Sequence, residues 1–138
     1  MKKNLIFIFL IFFLVACKAK GLSSYQKWDE LNDLRKHEVS SLAYDLRPYD
    51  ACLAGHIPNF TCLYYNQEPD LIKTKDNIVS VYDKKALILL ICEDGKNSSL
   101  LADMLIKAGF TRVYYYLGGY NKYCEDNKAF IPEIGCNC

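Results

Sequence analysis

Three kinds of apolar pattern run along the chain, and each predicts a different element. Leu5 to Val15 is an unbroken run of eleven apolar residues behind Lys2 and Lys3. Ala86 to Ile91 is a shorter run, apolar at every position, as in a strand buried on both faces of a parallel sheet. Elsewhere apolar residues recur at helical spacing: Trp28, Leu31 and Leu34 within Tyr25 to His37, and Leu101, Leu105 and Ala108 within Ser98 to Ala108, where Gly109 stops the helix. Ser23 or Ser24 is expected to cap the first of these. Ser41 to Leu46 and Arg112 to Leu117 read as strands, Phe60 to Tyr65 as a weaker one, and Pro48 to Ala54 as a turn or two of helix before Gly55. Glu68 to Asp83 reads as loop and helix with Leu71, Ile72, Ile78 and Val81 turned inward, and Gly118-Gly119 as a sharp turn. Strand, helix and strand in this order predict a three-layer α/β fold, with a central, mostly parallel sheet flanked by helices.

The first apolar block reads as an address. Eleven residues of helix span about 16 Å, about half of a bilayer's hydrocarbon core, so residues 1–16 fit a signal peptide better than a membrane span. Leu14-Val15-Ala16-Cys17 resembles the lipobox of bacterial lipoproteins, in which the cysteine is lipidated and becomes the mature N-terminus. Cys17 is then the expected lipidation site, and two or more acyl chains hold a protein firmly on a membrane. Residues 17–24 read as a lipidated tether, 25–127 as the folded domain and 128–138 as a Cys-containing C-terminal tail. The expected location is the cell envelope, outside the cytoplasm.

Composition changes this picture in two ways. Removing Lys2 and Lys3 with the signal leaves 15 basic residues against 16 acidic ones, so the formal charge falls from +1 to −1. No basic stripe remains, and nucleic acid is excluded as a partner class. Outside the cytoplasm, thiols that meet tend to oxidise. Cys52, Cys62, Cys92, Cys124, Cys136 and Cys138 allow many pairings, and their connectivity stays open. Cys124, Cys136 and Cys138 lack a credible fourth ligand for a metal, so a disulfide tying down the tail is expected there instead of a metal site.

Cys92 is the residue whose position carries chemistry. It lies at the C-terminal end of the buried strand, the edge at which open α/β sheets place their ligands. A polar loop, Cys92 to Asn97, then leads into a helix N-terminus, where backbone N–H groups and the helix dipole favour a thiolate. Gly95 offers the positive φ that a tight cradle needs. The plainer alternative is a buried structural cysteine at a strand end.

Four motifs in order point to a family. Asp45-Leu46-Arg47-Pro48 and Gly55-His56-Ile57-Pro58 resemble the D-x-R and G-H-I-P signature of rhodanese domains. Cys92-Glu93-Asp94-Gly95-Lys96-Asn97-Ser98 resembles that family's C-x-x-G-x-R-S active-site loop. Gly109-Phe110, Val113 and Leu117-x-Gly119 look like its closing pattern. The resemblance runs from about Tyr25 to Tyr123 and implies a rhodanese-like fold and a sulfurtransferase. Cys92 would take sulfane sulfur from a small donor such as thiosulfate or a persulfide, hold it as a persulfide, and pass it to a thiol acceptor. Residues 93–98 would form the substrate-binding loop. Asp45, Arg47, Gly55 and His56 would be structural; His37 and the Tyr114 to Tyr116 strand need no functional role.

The loop departs from the family at two points. Asn97 stands where the family carries Arg, and acidic Glu93 and Asp94 follow the cysteine, offset only by Lys96. The missing Arg argues against phosphatase chemistry, which needs a bidentate phosphate clamp. The acidic loop and the surplus cysteines also support a reading from another class, a catalytically weak rhodanese-like module that binds a partner or senses redox state.

Overall fold

The computed structural model describes residues 19–63 and 69–136. The expected signal peptide, Cys17, the end of the Phe60 to Tyr65 segment, Glu68 and Cys138 lie outside the described residues.

Five strands form one all-parallel sheet: β1 (Lys20–Leu22), β2 (Ser41–Asp45), β3 (Thr61–Cys62), β4 (Leu87–Ile91) and β5 (Val113–Tyr116), in the order β1-β5-β4-β2-β3. Every residue of β4 is buried, because its neighbours β2 and β5 satisfy both edges and helices cover both faces. Alternate β4 side chains feed two cores. Ile88 and Leu90 meet Ile78 of α3 (Leu71–Val81) and Leu101, Ala102 and Leu105 of α4 (Lys96–Lys107). Leu87, Leu89 and Ile91 share the opposite core with Trp28 of α1 (Tyr25–Lys36) and Tyr123 of α5 (Gly119–Asp126). Helix, sheet and helix make the three expected layers.

Several elements differ from the sequence reading. Lys20–Leu22, expected in the tether, is a strand that pairs with Tyr114 to Tyr116, and Ala19 before it is buried. A side chain at Gly21 would overlap Leu117, so glycine lets this strand reach the sheet edge. Ser24 is the N-cap residue of α1, although its side chain makes no capping bond. In α3 the buried stripe is Thr74 and Ile78 with half-buried Leu71, three or four residues apart, so Ile72 and Val81 fall off it and are exposed. In α1, Trp28 and Asn32 are buried while Leu34 is exposed.

A short helix, α2 (Tyr49–Ala54), is fastened to β3 by a Cys52–Cys62 disulfide with Cα atoms 5.8 Å apart. Cys136 is also disulfide-bonded, whereas Cys124, expected to help tie down the tail, is free. It sits on α5, where its side chain contacts Tyr120. The tail folds back over the α2 segment. His56 and Glu133 exchange two main-chain hydrogen bonds of 2.9 Å, and Gly135 N–H donates to Leu53 O.

Candidate functional site

The parallel register sets the site at the C-terminal edge of the sheet. Ile91 at the end of β4 pairs with Asp45 at the end of β2, and Leu46 N–H donates to Ile91 O at 2.7 Å. The two chains therefore leave the sheet side by side, bringing Arg47-Pro48 next to Cys92.

Cys92 opens a four-residue loop, because α4 begins at Lys96, two residues before the expected start. Gly95 has φ 89° and turns its N–H onto Cys92 Sγ at 3.2 Å. Ser98 N–H reaches the same sulfur at 3.4 Å. Ser98 Oγ lies 3.3 Å from Sγ and 3.1 Å from Gly95 O, to which it donates. Two N–H donors and the positive end of α4 thus converge on one sulfur, an arrangement that stabilises negative charge there. Cys92 is only 3% exposed, yet it lines a cavity of about 350 Å³ with Leu46, Arg47, Ala51, Asp94 and Asn97 among its walls.

The rest of the wall is held by a buried ion pair. Arg47 Nη2 donates to Asp45 Oδ2 at 2.7 Å and to Gly55 O at 2.7 Å, while Nε lies 3.1 Å from both Asp45 oxygens. The guanidinium stacks 3.5 Å above the Tyr120 ring. Burial, the Cys124 thiol beside it and the Asp45 carboxylate push the Tyr120 phenol up to about 12, against the lowering pull of Arg47. Tyr120 N–H in turn donates to Cys92 O at 2.8 Å, and Asn121 N–H to Glu93 O at 3.2 Å. The first turn of α5 therefore clamps the loop from outside.

Residues 27–126 match the rhodanese-like domain family. The chain belongs to that family. Its fold is similar to a crystal structure of a protein from Anabaena sp., with TM-score 0.58 and 19% identity over 80% of this chain and 91% of that one. A rhodanese-related protein from Thermoplasma volcanium gives TM-score 0.52 and 16% identity, covering 75% and 94%. A rhodanese-like domain protein from Staphylococcus aureus gives 0.50 and 20%, covering 77% and 92%. No curated protein matches the chain significantly.

Within this rhodanese-like domain the expected residues divide into three groups. Cys92, Asp94, Gly95 and Ser98 meet around the sulfur, with Asn97 and Glu93 on the cavity wall. Asp94 Oδ1 accepts Lys96 N–H at 2.9 Å and lies 3.9 Å from Sγ; Lys96 Nζ is exposed and 3.7 Å from Asp94 Oδ2. Asp45, Arg47 and Gly55 form the supporting wall. His56 is fully buried away from the sulfur, its ring nitrogens each 3.0 Å from a main-chain oxygen, of Ile57 and of Gly135. Among the described residues no cluster of three His, Cys, Asp or Glu is placed to hold a metal.

Sequence reasoning missed Tyr120. No motif flags it; only its place one residue after the Gly118-Gly119 turn hints that its main chain abuts the Cys92 loop.

Proposed function

We propose that this protein is an envelope-anchored sulfurtransferase that carries sulfane sulfur on Cys92. The observation that supports it most is the convergence of Gly95 N–H, Ser98 N–H and the α4 N-terminus on a sulfur facing a small cavity. In the first half-reaction the Cys92 thiolate attacks the outer sulfur of a donor such as thiosulfate. A new S–S bond forms, the donor's S–S bond breaks, and sulfite (or a thiolate, from a persulfide donor) leaves with the bonding pair. In the second, an acceptor thiolate attacks the outer sulfur of the Cys92 persulfide and expels Cys92 as thiolate. The cycle needs no oxidant, reductant or cofactor. The cradle N–H groups serve both halves, because each ends with anionic sulfur at or next to Sγ.

Membrane attachment through Cys17 is part of this proposal and rests on the sequence from Lys2 to Cys17. Cys17→Ala should move the protein out of the membrane fraction; retention with an unmodified Cys17 contradicts the anchor.

The activity is tested by steady-state transfer of sulfur from thiosulfate or polysulfide to a thiol or to cyanide. Wild type should turn over and Cys92→Ser should not. Glu93 and Asp94, both exposed beside the cavity, support the second reading, a weakly catalytic binding or redox-sensing module. Equal background rates for wild type and Cys92→Ser favour that module.

A further inference from the structure

The charges around the Cys92 cavity say which donors it accepts. A dianionic donor is held best by free cationic groups next to the sulfur, and the two nearest, Arg47 and Lys96, are each paired with a carboxylate. Arg47, the one cationic side chain in the cavity wall among the described residues, is neutralised by Asp45, and its remaining Nη2 reach ends on Gly55 O. Lys96 Nζ points into solvent, 85% exposed, and its charge is offset by Asp94 at 3.7 Å. Its main-chain N–H, at the start of α4, is taken by Asp94 Oδ1 at 2.9 Å. A carboxylate thus lies 3.9 Å from Sγ, close to any donor that approaches the sulfur. Asn97 can donate from its amide but brings no charge. Glu93 adds a second exposed carboxylate at the rim.

We infer that Asp94 and Glu93 make this cavity select uncharged or cationic sulfane-sulfur donors, such as the persulfide or polysulfide of an amine-bearing thiol, over thiosulfate. The inference rests on the sulfur-carrier reading and names its substrate class. The chemistry is unchanged: Cys92 thiolate attacks the donor's outer sulfur, and the donor's own thiolate leaves with the electron pair. Its ammonium group stays at the rim, where Glu93 and Asp94 attract it. A dianion held about 6 Å from one unit negative charge in water-like surroundings reacts about tenfold more slowly than without it, and a donor's ammonium group at that distance gains about threefold.

The test measures the second-order rate of sulfur uptake by Cys92 from thiosulfate and from cysteamine persulfide, in wild type, Glu93→Gln and the Glu93→Gln/Asp94→Asn double variant. Both side chains are exposed, so the fold tolerates these changes. Thiosulfate uptake should rise about tenfold at low salt when Glu93 is replaced and by less when Asp94, whose charge Lys96 partly offsets, is replaced as well, while cysteamine persulfide uptake falls. Added salt should speed thiosulfate and slow cysteamine persulfide in wild type, because it screens both interactions. A donor ratio that neither substitution nor salt alters overturns the inference while leaving Cys92 as a sulfur carrier. Failure of every donor to load Cys92 overturns the carrier reading itself.

Discussion

Gly119 lies so close to Cys92 that a β-carbon at position 119 would overlap the Cys92 carbonyl oxygen, and that of Glu93 beside it. Gly119 also has φ 69°, a conformation that costs an L-residue about 1–2 kcal/mol. Gly119→Ala is therefore expected to push the Cys92 loop away from α5, break the Tyr120 N–H bond to Cys92 O and lose most of the sulfur uptake. A kinetic comparison with wild type, beside a urea titration, separates a displaced loop from an unfolded chain. Unchanged uptake in a folded variant would show that the contact does not position the loop.

Arg47 illustrates a different dependence. Its partner Asp45 is fully buried, so removing the guanidinium leaves a carboxylate without its counter-charge. Arg47→Met should cost about 3–5 kcal/mol in chemical denaturation. Adding Asp45→Leu should recover part of that loss, because two apolar groups replace an orphaned charge. Arg47→Lys should fall between, since an ammonium cannot match the two-oxygen contact with Asp45 and the stack on Tyr120 together.

How much of this was legible beforehand follows from how local each signal is. The β4 strand is apolar at all five positions, and the loop after it announces itself by Gly95 and the polar run to Ser98, so the cradle could be placed from sequence. The three-residue β1 has glycine at its centre and a partner more than ninety positions away, so neither periodicity nor motif reveals it. Cys52–Cys62 pairing depends on α2 docking on β3, which no spacing rule dictates. Ile72 and Val81 misled because apolar residues at a helix surface are common, and only the tertiary neighbours choose the stripe. The Tyr120 clamp requires α5 to pack its first turn on the β4 loop.

Alkaline pH should unfold the domain through its tyrosines. Burial holds the phenols of Tyr116 and Tyr123 well above their ordinary range near 10, and that of Tyr120 at about 12. The neutral phenol is the form the fold favours. The contribution is therefore complete below pH 10 or so and is lost as pH rises through the folded values, when the unfolded chain has already released its protons. Denaturation midpoints measured from about pH 9 upward should fall, with phenolate absorbance appearing in two phases: exposed tyrosines reversibly, buried ones together with unfolding. A single phase near 10 with constant stability contradicts these environments.

The central claim is that Cys92 carries transferable sulfur, and peptide mass spectrometry after brief exposure to a sulfane-sulfur donor tests it most directly. The account predicts a gain of one sulfur atom on the peptide containing Cys92, removed by an acceptor thiol and absent from Cys92→Ser, with Cys124, the other free cysteine among the described residues, unmodified. Sulfur found on Cys124 instead, or on neither residue with any donor, would contradict it.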